Sequence, residues 1–391
     1  MDVILGVDAI TPPLTGIGRY AFELATRLPR QPVIESVRYF SFGRWKNGID
    51  FDSVNGATEP IREATVQPKR NLRGVLAGSS LVLKAYSLLT PSVYRWRLRG
   101  ERNSLFHSPN YFLPPFPGKS VATIHDLSHL FFPQFHPAAR IEYMERALPE
   151  TLRRADFLIT DAESVRAEVI QHFGWSPDRI AAVPLGVDAN FHPRTAEELM
   201  PVLQRYRLHL TDYTLCVGTI EPRKNLDRLL TAYEALPVTL RQRCPLVLVG
   251  SRGWLSDGIF DRIAKGTAAG WVRYLNFVEQ KDLPFLYAGA RLFAYPSLYE
   301  GFGLPPLEAM ASGIPVVTSN VSSLPEVVAE AAILVDPKDE AALSSALRRG
   351  LEDEKWRSNA VVLGLQRASI LRWEQCIDQT VSIYKKILAQ R

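Results

Sequence analysis

Short apolar runs alternate with longer amphipathic segments along almost the whole chain. This alternation is typical of a parallel sheet whose strands are joined by crossover helices. In the first half it predicts strands at residues 3–7, 37–42, 105–107, 121–124, 157–160 and 180–183. It also predicts helices at residues 19–28, 138–154 and 164–173, where apolar side chains recur at helical spacing.

A second series of the same kind begins after a polar stretch at residues 193–198. Strands are predicted at 214–217, 246–249, 272–275, 292–295 and 316–319, with helices that end at Ala235, Ala268, Gly289, Ser312 and Gly350. We therefore predict an α/β protein with two Rossmann-like domains, residues 1–200 and residues 201–373. The amphipathic segment 374–391 is expected to cap one of them, and its pattern suits either.

Composition fits two globular domains and argues against disorder. Of the 391 residues, 46% are hydrophobic and 22% are charged. The net charge of +5 is weak evidence for nucleic acid and better evidence for anionic ligands or an anionic membrane surface. Cys216, Cys244 and Cys376 are far apart in the sequence, so we expect buried thiols in a reducing compartment.

The N-terminus lacks the basic region and long apolar core of a signal peptide. There is also no run of about 18 apolar residues, the length needed to span a bilayer. We therefore expect a cytoplasmic protein. Residues 62–102 are rich in arginine and lysine with apolar residues among them. They suit either an amphipathic segment on the anionic inner face of a membrane or a helix pair packed on the N-terminal domain.

Two short strings could bind an anion. Gly16 and Gly18 lie between the first strand and the first helix, where small residues and a helix N-terminus favour phosphate. The string lacks the third glycine of a dinucleotide fingerprint, and a plain tight turn is the alternative. Arg223 and Lys224 follow a strand and Gly218, at an edge where ligands of open sheets bind. A solvated surface pair is the alternative interpretation of these two cations.

The string Glu300–Glu308 carries the strongest signal. Gly301 and Gly303 allow backbone N–H groups to approach a ligand, and Leu304 begins a helix whose N-terminus favours anionic oxygens. Glu308 then points into the same cleft as Glu300. Because two carboxylates would repel a diphosphate, we expect them to accept hydrogen bonds from sugar hydroxyls. A helix-capping role for Glu308 is the alternative.

His125 and Asp126 follow the strand predicted at 121–124. A His-Asp pair in this position is often a strand-end hydrogen bond. At a carboxyl end that faces the other domain it is also a candidate substrate contact.

Together these strings resemble the retaining glycosyltransferases of family 4, whose GT-B architecture has two Rossmann-like domains facing each other across a cleft. Glu300–Glu308 matches the E-x7-E motif of that family, and Glu221–Asn225 matches its basic diphosphate motif. Gly16–Gly18 matches the N-terminal glycine loop, and Val183–Asp188 matches the interdomain segment. The resemblance covers essentially the full length of the chain.

The resemblance implies a role for each matching residue. Glu308 would bind the ribose, Glu300 the transferred sugar, and Arg223 with Lys224 the leaving diphosphate. His125 would contact the donor sugar near the transferred carbon. The remaining donor-binding positions would be Gly16, Gly18, Gly218, Val278 and Glu279 near the base, and the backbone of Gly301, Phe302, Gly303 and Leu304. The reaction would retain anomeric configuration by a front-face displacement in which a phosphate oxygen helps to deprotonate the acceptor.

The identity of the nucleotide-sugar donor is inferred from a resemblance to a smaller group within this family. Ile124–Leu127, with Phe132–Pro133 and Ile10–Pro12, is similar to bacterial mannosyl- and rhamnosyltransferases of surface-polysaccharide assembly, including lipopolysaccharide. This implies GDP-mannose as donor and a saccharide or lipid-linked acceptor. A UDP-hexose donor is the first alternative, and an epimerase of the GT-B fold is the second. A nucleic-acid-binding protein is disfavoured because the chain lacks basic and aromatic residues interleaved on a recognisable module.

No metal and no other cofactor is expected. Asp50–Asp52 spells a D-x-D string, the metal signature of another glycosyltransferase fold, but it lies in a polar loop far from the cleft motifs. Gly118–Ser120 ends like a phosphate-binding P-loop, although Leu113 occupies the position of the first glycine. We interpret both strings as chance matches.

Overall fold

The computed structural model describes residues 1–11, 14–49, 92–276 and 278–389. Strands β1–β7 of this part are Asp2–Gly6, Ser36–Ser41, Arg44–Lys46, Leu105–Ser108, Lys119–Ile124, Phe157–Thr160 and Ile180–Ala182. Strands β8–β13 are Thr214–Val217, Leu246–Val249, Val272–Tyr274, Leu292–Tyr295, Val316–Ser319 and Ala332–Val335.

Helices α1–α5 are Gly16–Arg27, residues 92–97, Ser128–Phe131, Ala138–Arg154 and Glu163–Phe173. Helices α6–α10 are Ala196–Arg205, Leu226–Glu234, Val238–Arg243, Asp257–Ala268 and Leu283–Ala288. Helices α11–α15 are Leu304–Ala311, Leu324–Val328, Glu340–Glu352, Glu354–Ile370 and Trp373–Ala389. Single 3₁₀ turns occur at Leu28–Arg30, Pro133–Phe135, Pro177–Arg179 and Pro222–Lys224.

The strands form two sheets, as the alternating pattern predicts. The first has the order β3-β2-β1-β4-β5-β6-β7 and is parallel except for the pair β2 and β3. The second has the order β10-β9-β8-β11-β12-β13 and is parallel throughout. Strand order reverses between β1 and β4 and again between β8 and β11, and the loops on either side of such a point diverge to leave a crevice. The predicted α/β fold with two parallel sheets is confirmed.

Predicted and observed elements agree best in the second sheet. The strands β8, β9, β11 and β12 have the predicted bounds, because each is a short, almost entirely buried run rich in apolar residues. The pattern did not predict β13, the polar edge strand β3, or helix α14. The buried face of α14 consists of Ala360, Gly364 and Ala368. Because these residues are small, the buried face is hardly more hydrophobic than the exposed face, and the sequence shows no amphipathic pattern there.

The structure also bears on two sequence hypotheses. Lys119 and Ser120 begin strand β5, so the string Gly118–Ser120 is not a phosphate-binding loop before a helix. Of the basic stretch 62–102, residues 62–91 lie outside the described residues, and 92–97 form helix α2. Among the helices that the structure describes, none combines the length and apolar character needed to cross a membrane.

The chain passes between the two units twice, and the two passages lie side by side. Val187, after β7, pairs in parallel with Arg372, just before α15. Helix α15 packs on α1 of the first unit, and the hydroxyl of its Tyr384 lies 2.6 Å from Nδ1 of His107. The C-terminal helix therefore sits on the first unit although it follows the second in sequence.

Gly186 sits at this double passage. A Cβ atom on Gly186 would lie 2.0 Å from the backbone nitrogen of Trp373, and backbone atoms cannot move aside cheaply. We expect Gly186→Ala to lower the free energy of unfolding by about 3 kcal/mol, the upper end of ordinary overpacking costs. Thermal unfolding followed by circular dichroism would measure the effect.

Gly258→Ala serves as the control for this substitution. A Cβ atom there meets no atom within 4 Å, and the residue lies in helix α9. Alanine is the better helix former, so the control should be as stable as the parent chain or more stable. Equal unfolding temperatures for the two variants would contradict the assignment of Gly186 to a tight crossing.

Candidate active site

Residues that the sequence analysis selected in the second half meet at the carboxyl edge of the second sheet. Arg223 and Lys224 follow β8, and Glu300 follows β11, the neighbour of β8. Because the strand order reverses between β8 and β11, the loops after them border a crevice. Topology alone therefore brings the two cations and the first carboxylate of the E-x7-E string together.

Glu300 is the centre of a buried ion-pair cluster. Nζ of Lys224 lies 2.6 Å from its Oε1, and Nη1 of Arg223 lies 3.1 Å from its Oε2. The hydroxyls of Tyr295 and Ser297 both donate to Oε1. Burial alone would raise the pKa of Glu300, but the charges of Lys224 and Arg223 lower it to about 2. Glu300 is thus ionised at any ordinary pH, and both of its oxygens are occupied.

Arg223 has donors in reserve. Its Nη2 donates to Glu221 at 2.7 Å, and its Nη1 donates to the carbonyl of Tyr299 at 2.8 Å as well as to Glu300. Its Nε is buried and has no hydrogen-bond partner among the described residues. An unpartnered N–H on a buried guanidinium is costly, which makes this atom a candidate for contact with an anionic ligand.

Asn225 fixes the loop that carries the two cations. It adopts a left-handed conformation with φ of 59°, which asparagine tolerates better than most residues. Its side-chain nitrogen donates to the carbonyls of Pro296 and Pro337 at 3.0 and 2.7 Å. These bonds tie the loop after β8 to the loops after β11 and β13, so they set where the cations stand.

Two serines hold the loop that begins at Glu300. The backbone N–H of Glu300 donates to Oγ of Ser322 at 2.9 Å. The hydroxyl of Ser323 donates to the carbonyls of Glu300 and Phe302. Sequence analysis missed both serines and Tyr295, and it placed Asn225 in the basic string without a role of its own, because nothing local marks a side chain whose partner is distant in sequence.

Glu308 behaves differently from Glu300. It lies in α11, which follows Gly303 with a φ of 123° that favours glycine. The hydroxyl of Tyr287 donates to its Oε2 at 2.8 Å. Burial raises the pKa of Glu308 to about 7, opposed in part by the Tyr287 bond and the charge of Arg19. The two carboxylates of one string therefore titrate in separate pH ranges.

The glycine loop of the first unit faces the start of α11. A Cβ atom on Gly16 would lie 3.8 Å from Cδ1 of Leu304, so this glycine borders the cleft. On the opposite wall Gly218 has φ of 155° and lies against Lys224. Gly18 differs, because a Cβ atom there would lie 2.8 Å from the carbonyl of Ala9 in its own unit. Packing within the first unit alone is thus enough to require glycine at 18.

His125 is buried, and both of its ring nitrogens are occupied. Nδ1 lies 2.7 Å from Oδ2 of Asp161, and Nε2 donates to the carbonyl of Pro109 at 2.8 Å. Burial disfavours the charged ring, but these acceptors together raise the pKa of His125. Its carbonyl oxygen, by contrast, faces Gly301, where a Cβ atom would lie 2.0 Å away. The backbone of His125, rather than its ring, therefore packs against the loop that begins at Glu300.

The two positions predicted to lie near the base, Val278 and Glu279, have contacts of their own. Val278 packs against the hydrophobic core. The carbonyl of Glu279 accepts the N–H groups of Asp282 and Leu283 at the start of α10, and its carboxylate pairs with Lys281 at 2.7 Å. No described hydrogen bond joins either residue to the E-x7-E string. The side chain of Phe302 is buried, which leaves its backbone for any ligand contact.

Arg19 is a cation that reaches this site from the first unit. Its Nη1 lies 3.6 Å from Asp188 and 3.8 Å from Glu23, too far for hydrogen bonds in both cases. Its positive charge lowers the pKa of Glu308 on the other side of the cleft. Arg19 directly follows the glycine string, yet the sequence alone assigned it no role.

Contacts across the cleft hold the two units close together. The hydroxyl of Tyr299 donates to Glu168 at 2.6 Å and accepts the N–H of Leu127 at 3.1 Å. The carboxylate of Glu326 accepts two backbone N–H groups at the start of α5, at 2.8 and 2.6 Å. A carboxylate at a helix N-terminus is favourable because it meets unpaired donors and the positive end of the dipole.

The described residues contain no group of three or more His, Cys, Asp and Glu side chains arranged to hold a metal ion. Asp50 and Asp52 of the D-x-D string lie outside the described residues. The expectation that the reaction needs no metal stays a prediction.

Comparison with known proteins shows which sequences this chain resembles. Residues 14–191 match the model for Glycosyltransferase Family 4, and residues 209–362 match the model for glycosyl transferases group 1. The O-antigen chain mannosyltransferase B of Escherichia coli is 42% identical over 385 residues, which cover 98% of this chain and 100% of that protein. The serotype-specific mannosyltransferase WbdA of E. coli is 30% identical over 282 residues, which cover 70% of this chain but 34% of WbdA.

Solved structures share the fold at low sequence identity. WaaG, a glycosyltransferase involved in lipopolysaccharide biosynthesis, superposes with a TM-score of 0.70 at 18% identity, over 98% of this chain and 99% of WaaG. HepE of Anabaena, in complex with UDP and glucose, gives a TM-score of 0.70 at 16% identity, with coverage of 98% and 99%. These likenesses confirm the predicted GT-B architecture.

The raised pKa of Glu308 should make the free energy of unfolding depend on pH. The folded chain keeps the proton up to a pH of about 7, whereas the unfolded chain releases it near 4.5. Protonated Glu308 therefore stabilises the folded state fully below pH 4.5, and this contribution to the free energy of unfolding is lost as the pH rises to about 7. The reason is that between these two pH values the folded state binds more protons than the unfolded state does. We expect the unfolding temperature of Glu308→Gln, relative to that of the parent chain, to rise between pH 4.5 and 7 and then level off. A difference that is the same at every pH would contradict this titration.

Proposed function

The chain belongs to the family 4 glycosyltransferases, and we propose that it transfers mannose from GDP-mannose to a saccharide or lipid-linked acceptor with retention of anomeric configuration. The O-antigen mannosyltransferase at 42% identity over nearly the full chain supports a hexosyltransferase of surface-polysaccharide synthesis. The donor base, the sugar and the stereochemistry are our proposal.

The observation that carries the proposal is the cluster of Lys224 and Arg223 around Glu300. Two adjacent cations are buried at a strand-order reversal, and Nε of Arg223 lacks a partner among the described residues. Breaking the bond to the transferred sugar leaves a diphosphate, whose charge grows in the transition state. Preorganised cations in a water-poor site stabilise that charge strongly.

The two carboxylates take different parts in donor binding. Glu300 is a full negative charge held by Lys224 and Arg223. We assign its Oε2, which accepts a single described donor from Arg223 and so has a lone pair to spare, to a hydroxyl of the transferred sugar. Glu308, on the next helix, is assigned to the ribose hydroxyls. The backbone N–H groups of Gly301 to Leu304 lie between them and precede or begin α11, where anionic oxygens bind favourably.

Retention is proposed to proceed on one face of the sugar. Glu300 is poorly suited to attack the anomeric carbon or to take a proton, because both of its oxygens accept donors and its pKa is about 2. In our proposal an oxygen of the departing phosphate accepts the proton of the acceptor hydroxyl. The new glycosidic bond then forms on the face from which the diphosphate leaves, and the carbonyl of His125 lies beside the developing cation.

We propose that the enzyme works at the cytoplasmic face of the membrane. Helix α2 exposes Val93 and Trp96, with the guanidinium groups of Arg97 and Arg99 within 6 Å of the Trp96 ring. An amphipathic ring flanked by arginines suits the interface of an anionic bilayer. This segment would bring the site close to a lipid-linked acceptor.

Calorimetric binding of GDP and UDP tests the donor assignment. We expect GDP to bind at least about tenfold more tightly than UDP, a difference of about 1.4 kcal/mol. Tighter binding of UDP would replace GDP-mannose by a UDP-hexose and leave the fold and the reaction class in place. Binding of neither nucleotide would contradict the function as a whole.

Lys224→Ala tests the role of the cation cluster. Removing one charge at the leaving group should lower kcat by a factor of about 100 or more, as the loss of one preorganised donor does in other enzymes. Lys265→Ala is the control, since Lys265 is an exposed lysine on α9. Transfer from GDP-mannose would be measured with both variants. Parent-like turnover in Lys224→Ala would remove Lys224 from the mechanism.

A further inference from the structure

Tyr299, the residue directly before Glu300, contacts both units at once. The residue is 4% exposed, and its hydroxyl reaches into the first unit. There it donates to the carboxylate of Glu168 at 2.6 Å and accepts the backbone N–H of Leu127 at 3.1 Å. We call these two hydrogen bonds the Tyr299 bridge. A phenolic hydroxyl has a single proton to donate, so the bridge uses that proton across the cleft.

The main chain of Tyr299 belongs to the ion-pair cluster of the second unit. Its carbonyl accepts Nη1 of Arg223 at 2.8 Å, and the same nitrogen donates to Glu300. A tyrosine side chain turns about only two side-chain torsions, so its two ends stay at a nearly fixed separation. One residue therefore sets how far the guanidinium of Arg223 lies from the first unit.

On the first unit, the bridge ends in the segment that follows β5. Two residues before Leu127, the carbonyl of His125 packs so closely on Gly301 that a Cβ atom there would lie 2.0 Å away. Asp126 lies between these two contacts. Burial alone would raise the pKa of Asp126, but the charge of Arg223 lowers it. Asp126 and Arg223 thus act on each other across the cleft, from segments that the bridge joins.

The bridge is one of several contacts between the two units in this region. Glu326 of the second unit accepts two backbone N–H groups at the start of α5, the helix that carries Glu168. The rings of Phe131 and Phe132 pack on the ring of Tyr299, with centroids 6.0 and 5.6 Å away. Loss of the hydroxyl alone should therefore shift the units relative to each other rather than separate them.

We infer that Tyr299 is a positioning residue for sugar transfer, and that it acts through its hydroxyl. The bridge aligns first-unit groups at the donor sugar, such as the carbonyl of His125, with the cations assigned to the leaving diphosphate. Misplacement by about 1 Å can cost a factor of about 100 in rate. The nucleotide is assigned mainly to groups of the second unit, so its binding does not need the bridge. The inference rests on the proposed function and adds a residue that touches neither substrate.

Tyr299→Phe removes the hydroxyl and keeps the ring. We expect kcat for transfer from GDP-mannose to α-linked mannobiose to fall about tenfold or more, the effect of losing a hydrogen bond to a charged group. GDP affinity measured by calorimetry should stay unchanged. Tyr213→Phe is the matched control, because its buried hydroxyl donates to the carbonyl of Leu286 inside the second unit at 2.6 Å. The control should lower the unfolding temperature and keep the parent kcat.

Substitutions of Glu168 test whether the bridge itself carries the effect. Glu168→Gln keeps an oxygen that accepts the Tyr299 hydroxyl and should retain the parent kcat, whereas Glu168→Ala should lower kcat. Combining Glu168→Ala with Tyr299→Phe should give the kcat of Tyr299→Phe alone, because the bond between the two side chains is already absent. A role in folding only would not produce this coupling in kcat.

Three results would overturn the inference: the parent kcat in Tyr299→Phe, an equal loss of kcat in Tyr213→Phe, or effects of Tyr299→Phe and Glu168→Ala that multiply in the double variant. A parent chain that binds UDP and not GDP would overturn the donor assignment instead. The same ratios of kcat, measured with a UDP-hexose, would then decide the role of Tyr299.

Discussion

The negative charge of Glu300 is held inside the protein, and much of the surrounding structure serves to keep it there. A buried carboxylate without partners costs several kcal/mol, so Lys224, Arg223, Tyr295 and Ser297 all point at it. The cations need positioning in turn, which Asn225 supplies through two buried carbonyls. The free-energy cost of removing these charged groups from water is thus offset during folding and does not arise when a ligand binds. A site prepared in this way needs little reorganisation as charge develops on a leaving group.

In the nine-residue string Glu300–Glu308, the two glutamates have different protonation behaviour because their surroundings differ. Glu300 sits among cations and stays ionised, whereas Glu308 faces a tyrosine hydroxyl and one distant cation, Arg19. The glycines between them give the backbone the conformation that places one carboxylate in a loop and the other on a helix. Arg19 and the carbonyl of His125 come from the first unit, so the full set of groups exists only when the two units lie close together.

Much of this could be predicted from the sequence because the signals are local. Parallel strands buried on both faces are short runs rich in apolar residues, so β8, β9, β11 and β12 were predicted at their observed bounds. The basic string and the E-x7-E string are each contiguous in the sequence, so they too could be recognised without a structure. Helix α14 was not predicted because its contact face is built from small residues. Tyr287 and Arg19 were not predicted, and Asn225 was predicted only as part of the basic string, because their roles depend on partners far away in sequence, which no local pattern reveals.

The double passage at Val187 and Arg372 has a consequence for how the protein is made. The first unit leaves the ribosome first, but helix α15, which covers α1 and hydrogen-bonds His107 through Tyr384, emerges only after the whole second unit. At typical rates of synthesis the intervening chain takes on the order of 10–40 s to appear. During that interval the nascent first unit exposes the apolar surface that α15 later covers. The second unit, by contrast, is complete before α15 emerges, so the order of synthesis and the order of completion are reversed.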